Sequence, residues 1–128
     1  MIDPSTNKII DRIYIGVPLF GIVYNPYNDE MYTTTWTGNS AFAINATSYT
    51  VIRNITVGET PVGLAYDSNN HDMYVVNDGD GTVSRIASNN TVVATLGVGP
   101  GPKWAVFAPT TGDVYVTNTA DSSLTVLP

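Results

Sequence analysis

Short apolar runs, separated by turns rich in Gly, Asn, Asp and Ser, follow one another along the whole chain. In the middle third they predict four consecutive strands, Val62–Tyr66, Met73–Val76, Thr82–Ile86 and Thr91–Leu96. The second of these is apolar at every position, as a strand covered on both faces requires. The fourth mixes polar and apolar residues, which is typical of a sheet edge. Because no stretch of comparable length has a helical period, the pattern predicts an all-β protein.

The same pattern recurs with a period in the low forties. The spacing is 42 residues from Gly16 to Gly58 and 41 residues from Gly58 to Gly99. An aromatic residue follows each glycine after eight positions and a tyrosine after sixteen: Tyr24, Tyr66 and Phe107, then Tyr32, Tyr74 and Tyr115. A period of this length with four strands per unit is typical of propeller blades. We expect a β-propeller of three four-stranded antiparallel blades, at about 16–57, 58–98 and 99–128.

The repeat also assigns a role to the N-terminal stretch. Ile2 aligns with Ile44 and Ile86, where the third strand of a blade ends, and Leu127 falls at the same point. Residues 8–15 are then predicted to form a fourth strand ahead of the first blade, while the third blade has no fourth strand of its own. We expect this N-terminal strand to complete the last blade, that of a partner chain.

Ring geometry is the reason for expecting a partner. Propellers have about 4–8 blades, and three sheets would leave apolar faces such as that of Met73, Val75 and Val76 partly open. The expected product is a closed six-blade homodimer. The alternatives are a larger assembly or fibre with the same junction, and a piece of a longer single-chain propeller.

Composition excludes several classes of partner and chemistry. The formal net charge is −6 and only five residues are Lys or Arg, whereas nucleic acids and anionic membrane surfaces require clustered cations. The chain has no cysteine, which excludes disulfides, cysteine-bound zinc and thiol catalysis. No apolar run approaches the ~20 residues of a membrane span. We expect neither nucleic-acid binding nor membrane insertion.

Three Asn-x-Ser/Thr sequences favour an extracellular or cell-surface location: Asn45, Asn54 and Asn89 are candidate glycosylation sites. Asn45 and Asn89 fall in turns between the third and fourth strands, where an exposed amide can carry a glycan. The chain shows no signal peptide. Either its targeting segment is absent from this chain, or the protein stays inside the cell.

One loop has the appearance of a calcium site. Asp78-Gly79-Asp80-Gly81 places carboxylates at alternate positions, but the later glutamate of a full EF-hand loop is missing. A tight hairpin explains the same residues, since Gly accepts positive φ and Asp bonds to nearby backbone. We expect no cofactor or metal, with calcium at Asp78 and Asp80 as the alternative. His71, the only histidine, is interpreted as a solvated loop residue.

One face of the predicted propeller collects candidate ligand-binding side chains. The connections between fourth and first strands, and between second and third strands, emerge there, and they carry Trp36, Asp78, Asp80, Lys103, Trp104 and Asp121. Aromatic rings beside carboxylates can hold a sugar or a peptide, so a glycan or protein ligand is expected on this face. The alternative is that both tryptophans pack against neighbouring blades.

Several runs resemble the YVTN-type β-propeller repeat of archaeal surface-layer proteins and related secreted propellers. They are Tyr115–Asn118, the run from Val57-Gly58 through Pro61–Ala65, and Thr91–Thr95, and the resemblance covers essentially the whole chain as three repeats. It departs at Thr33–Trp36 and at Trp104, which takes the place of Gly63. The resemblance implies a non-catalytic cell-surface or secreted scaffold or binding module that self-associates. The alternative is a propeller enzyme of the lactonase or dehydrogenase type with a site in the central channel.

Overall fold

A computed structural model describes residues 2–3 and 7–128 and contains thirteen β-strands. The described part has no helix long and apolar enough to cross a membrane. The strands are β1 Ile2–Asp3, β2 Lys8–Ile9, β3 Ile22–Asn25, β4 Glu30–Thr35, β5 Ser40–Asn45, β6 Val51–Thr56, β7 Pro61–Asp67, β8 Asp72–Asn77, β9 Thr82–Ile86, β10 Val92–Gly97, β11 Pro102–Ala108, β12 Asp113–Asn118 and β13 Ser123–Leu127.

The strands form three successive antiparallel sheets, which we call the first blade (β3–β6), the second blade (β7–β10) and the third blade (β11–β13). The predicted all-β fold of propeller blades is confirmed, and each predicted strand of the second blade agrees with the structure to within one residue at either end. Register repeats as well: Tyr32 pairs with Ala43, and Tyr74 with Arg85 at the corresponding positions.

Two apolar clusters fill the spaces between consecutive blades. Between the first and second blades lie Tyr32, Ala41, Ala43 and Ile55 against Leu64, Met73, Val75 and Ile86. Between the second and third blades lie Val62, Ala65, Tyr74, Val76 and Val83 against Val114, Val116 and Leu127. The second blade is therefore buried on both faces. The expectation that Met73, Val75 and Val76 would be partly open is wrong, because the flanking blades cover them completely.

The innermost strands of consecutive blades approach each other at glycine. A Cβ added at Gly21 would lie 2.8 Å from the carbonyl oxygen of Val62, and one added at Gly63 would lie 2.9 Å from the Cα of Trp104. Real side chains do not tolerate such distances to backbone atoms, so these positions allow the strands to converge. The convergence brings distant parts of the chain together near the centre of the array.

The N-terminal strand is shorter than predicted. Of residues 8–15 only Lys8–Ile9 form a strand, and it pairs with Ile2–Asp3. Residues 10–15 lie outside the strands, because no third strand of a blade borders them in the single chain. The third blade accordingly has three strands, and β13 is its edge.

Candidate functional site

The turn between β8 and β9 carries the two candidate metal-binding aspartates. The Asp78 carboxylate forms an ion pair with the Lys103 ammonium, and Asp80 accepts hydrogen bonds from the Thr82 hydroxyl (2.5 Å) and the Glu59 backbone N–H (3.2 Å). The bond from Thr82 lies within the turn, whereas Lys103 and Glu59 reach the two aspartates from other segments of the chain. Among the described residues no group of three or more His, Cys, Asp and Glu side chains could hold a metal ion.

The corresponding turn of the third blade, between β12 and β13, is built in the same way. Asp121 occupies the position of Asp80 and accepts a hydrogen bond from the Ser123 hydroxyl at 2.6 Å. Ser122 has φ of 59° where the second blade has Gly81 with φ of 68°. Asp121 therefore stabilises a hairpin.

The two tryptophans differ in their surroundings. The ring centroids of Trp104 and Phe20 lie 5.1 Å apart with the planes tilted by 35°, and both side chains are about half exposed. Trp36 is equally exposed and makes no ring contact within the described residues. The structure thus groups Asp78, Lys103 and Trp104 at the inner end of β11, while Trp36 and Asp121 share no hydrogen bond, ion pair or ring contact with that group.

A shallow apolar groove on the outward face of the third blade escaped the sequence reasoning. Its volume is about 310 Å³, and its lining is Trp104, Ala105, Val106, Tyr115, Thr117 and Leu124. The sequence does contain a sign of this groove. Both faces of β11 and β13 carry apolar residues, although only one face packs against the second blade; Val106 and Leu124 lie on the other face.

His71 is packed rather than solvated, so the earlier interpretation is wrong. Its ring stacks on Tyr27 with centroids 3.9 Å apart and planes within 7°, and its Nδ1 lies 2.9 Å from the Tyr66 hydroxyl. The Asn25 side-chain N–H donates to the His71 carbonyl at 3.2 Å. The residue has φ of 64° and belongs to the junction of the first and second blades.

A polar cluster, which we call the clasp, closes the outer end of that junction. The Tyr32 hydroxyl donates to Asn90 Oδ1 at 2.5 Å, the Asn90 amide donates to Glu30 at 2.7 Å, and the Asn28 amide donates to the Ser88 carbonyl at 3.1 Å. Burial of the ring, with smaller effects from its polar neighbours, raises the pKa of Tyr32 to about 12. The clasp fixes the first blade to a turn of the second.

A smaller polar group lies on the surface of the first blade. Asp29 accepts hydrogen bonds from the Thr47 hydroxyl at 2.5 Å and the Tyr24 hydroxyl at 2.8 Å. The bond from Thr47, and then the bond from Tyr24, lowers the pKa of Asp29, because both stabilise the carboxylate. The group ties two neighbouring turns of one blade together.

The three candidate glycosylation asparagines lie in different settings. Asn54, in the outermost strand β6, and Asn89, in the turn before β10, are exposed. Asn45 is half-buried, and its Oδ1 accepts from the N–H groups of Thr47 (2.8 Å) and Ser48 (2.9 Å). The Asn89 Oδ1 accepts from the N–H of Thr91 at 3.2 Å, which is the same type of turn.

Similarity to solved structures is confined to the fold. Hydrazine synthase of Kuenenia stuttgartiensis superposes with a TM-score of 0.70 at 17% sequence identity, over 91% of this chain and 38% of that chain. Dihydro-heme d1 dehydrogenase NirN in complex with DHE superposes with a TM-score of 0.76 at 15% identity, over 91% of this chain and 26% of that chain. No protein-family model matches the chain, and a search of curated protein sequences finds no match. The chain thus spans well under half the length of these two propeller-containing proteins.

Proposed function

We propose that this chain is a non-catalytic β-propeller scaffold of the YVTN-repeat kind, acting at a cell surface or as a secreted protein, which assembles with copies of itself by blade completion. One observation carries the proposal: the N-terminal hairpin β1–β2 has the geometry of a blade's third and fourth strands, although it belongs to no blade in the single chain.

The register of this hairpin matches that of the first two blades. Ile2 pairs with Ile9, and the corresponding pairs are Ile44 with Val51 and Ile86 with Val92. The backbone ahead of the fourth strand matches too, because a residue with positive φ occupies one repeat position throughout: Asn7 (55°), Tyr49 (63°) and Asn90 (67°). β1 and β2 thus pair like the third and fourth strands of a blade although they belong to none. Such a strand is suited to a sheet that lacks its fourth strand.

The third blade offers that sheet. β13 pairs with β12 on one side and is the edge on the other, while its counterparts β5 and β9 are each covered by a fourth strand. An edge strand exposes unpaired N–H and C=O groups, which favour the addition of a strand from another chain. Residues 8–15 of a second copy can supply it in the register that the repeat specifies.

A scaffold role agrees with the use of the chain's carboxylates. On the candidate ligand face Asp78 is paired with Lys103, while Asp80 and Asp121 accept hydrogen bonds from turn hydroxyls. At the opposite end of β8, Asp72 is paired with Arg85. A catalytic acid or base requires instead a group poised toward a substrate. The enzyme alternative predicts an organic or metal cofactor in the central channel of the assembled particle, detectable by its absorbance or by elemental analysis.

A surface or secreted location is supported by the exposed sequons at Asn54 and Asn89. Both lie at the outer rim of the blades, where a glycan is compatible with packing. The test is the intact mass of protein purified from its natural host. An added glycan mass that disappears in Asn54→Gln/Asn89→Gln is the expected result, and an unmodified polypeptide mass contradicts this part of the proposal.

Self-association is tested by sedimentation of the purified chain at micromolar concentration. We expect a particle whose mass is a multiple of the 13.7 kDa chain, with twice that mass for a closed six-blade ring. Deleting residues 1–15 removes the completing strand and should abolish the particle, while circular dichroism reports whether the three blades remain folded. A compact wild-type monomer at all concentrations would overturn the proposal.

A further inference from the structure

The array of blades has two open faces, one at each end. The face of the third blade that points away from the second carries Val106, Tyr115, Leu124 and Val126, and we call it the trailing face. The face of the first blade that points away from the second carries Ile22, Tyr24, Met31 and Phe42, and we call it the leading face. Both are largely apolar, and Leu124 and Ile22 are 63% and 66% exposed.

Every position of the trailing face has a buried counterpart inside the chain. Tyr115 corresponds to Tyr32 and Tyr74, which are buried against the next blade along the chain. Leu124 corresponds in the same way to Ala41 and Val83, both of which are fully buried. The trailing face is therefore the kind of surface that, twice within this chain, packs onto a following blade.

The leading face corresponds, in the same way, to surfaces that pack onto a preceding blade. Ile22 corresponds to Leu64, and Met31 to Met73 and Val114, all of which are buried against the preceding blade. At both internal junctions a surface of the trailing type meets a surface of the leading type. The two open ends of one chain are thus the two halves of a junction that the same chain forms twice internally.

We propose that the trailing face is a docking surface whose occupant is the leading face of a second copy, packed head to tail. This inference rests on the proposed self-association and specifies its interface, which involves sheet faces in addition to the completing strand. Both faces expose large apolar side chains to water, such as Leu124 and Ile22. Burying this apolar surface against a partner favours association. The heterologous arrangement closes into a ring or continues as a fibre, depending on the rotation between copies.

The inner end of this junction differs from the internal ones at one residue. Trp104 stands at the position of Gly21 and Gly63, the residues that let internal blades approach closely. The position that faces it from the following blade is Phe20, the counterpart of Val62 and Lys103, the residues that Gly21 and Gly63 meet. Trp104 already packs on the chain's own Phe20. Forming the assembly therefore exchanges this contact within one chain for the same contact between Trp104 and Phe20 of the second copy, at the inner end of the groove.

Two charge substitutions test the two faces separately. Leu124→Asp places a charge on the trailing face and Ile22→Asp places one on the leading face, both at exposed positions that the folded monomer tolerates. Val93→Asp is the matched control, because Val93 is 54% exposed on the outer strand β10 and lies on neither face. Sedimentation should show that the dissociation constant for self-association rises by about tenfold or more in each face variant and is unchanged in the control. Circular dichroism of all three should match wild type.

Mixing the two face variants identifies the pairing. A heterodimer of Leu124→Asp and Ile22→Asp contains one undamaged junction, so the mixture should associate more tightly than either variant alone. If Leu124→Asp weakens association and Ile22→Asp does not, the trailing face pairs with itself and the head-to-tail inference is wrong. If wild type associates and both variants associate equally well, face packing is wrong while strand completion stands. If wild type does not associate at all, the proposed function itself fails.

Discussion

The two junctions between blades share an apolar core but differ at their edges. Corresponding positions fill both cores, for example Tyr32 in one and Tyr74 in the other. At the outer end of the first junction, Tyr32 bonds to Asn90 across the blades. At the second, the Tyr74 hydroxyl accepts only a 3.4 Å bond from Asn70 of its own blade, because the third blade has three strands and no turn where the second has Ser88–Asn90. Near the inner end, the second junction has instead the ion pair of Asp78 and Lys103.

The difference separates what the repeat supplies from what each blade adds. Period and apolar positions determine which faces meet, so the cores are equivalent even where side chains vary. Polar contacts depend on whether a particular turn is present. The clasp requires the turn between the third and fourth strands of the second blade. The first junction is therefore held by packing and hydrogen bonds together, whereas the second relies on packing, the close approach at Gly63 and one partly exposed ion pair.

The largest effect is expected from closing the space at Gly63. In Gly63→Ala the new Cβ would meet backbone atoms of Lys103 and Trp104, including the Cα of Trp104 at 2.9 Å, and backbone cannot yield as a flexible side chain does. We expect the unfolding free energy to fall by about 3 kcal/mol, which is the upper end of the usual cost of overpacking a buried site. Chemical denaturation measures it. Gly97→Ala is the control, since nothing lies within 4 Å of its Cβ; equal losses in both variants would contradict the close approach.

Alkaline pH should weaken the first junction through Tyr32. The pKa of Tyr32 is raised from 10 to about 12, so below pH 10 the hydroxyl is neutral in both states. Between pH 10 and 12 the unfolded tyrosine ionises while the folded one does not, so the unfolding free energy falls, by at most about 2.7 kcal/mol and by less where solvent screens the phenolate. Denaturation from pH 9 to 12 should show a shallower decline for Tyr32→Phe than for wild type.

At neutral pH the two equivalent tyrosines should differ in the cost of losing a hydroxyl. Tyr32→Phe leaves the buried Asn90 Oδ1 without its donor at 2.5 Å, and an unsatisfied buried polar group costs about 1–3 kcal/mol. Tyr74→Phe removes only a long bond from Asn70, so we expect a loss below about 0.5 kcal/mol. Paired thermal or urea denaturation decides the point. Equal losses would mean that the clasp does not distinguish the junctions.

The comparison also shows where sequence reasoning succeeds. The four strands of the second blade follow from local pattern, because each strand has its neighbours one turn away in the chain. The strand predicted for residues 8–15 depends on a neighbour that the single chain does not place beside it, and only Lys8–Ile9 forms. The contacts of Trp104 with Phe20 and of His71 with Tyr27 arise when blades converge, and no local spacing encodes them.

The smallest effect is expected at the loop that resembles a calcium site. At one end of the second junction the Asp78 carboxylate is paired with Lys103, and both oxygens of Asp80 accept hydrogen bonds from Thr82 and Glu59. A cation would have to displace the Lys103 ammonium and compete with these donors. Chelation of divalent ions should therefore leave the melting temperature unchanged. An ion bound at a hundred times its dissociation constant would add about 2.7 kcal/mol, a change easily seen in a thermal melt. If chelator does lower the melting temperature and Asp78→Asn/Asp80→Asn removes that sensitivity, the loop is a cation site and the second junction is held by an ion after all.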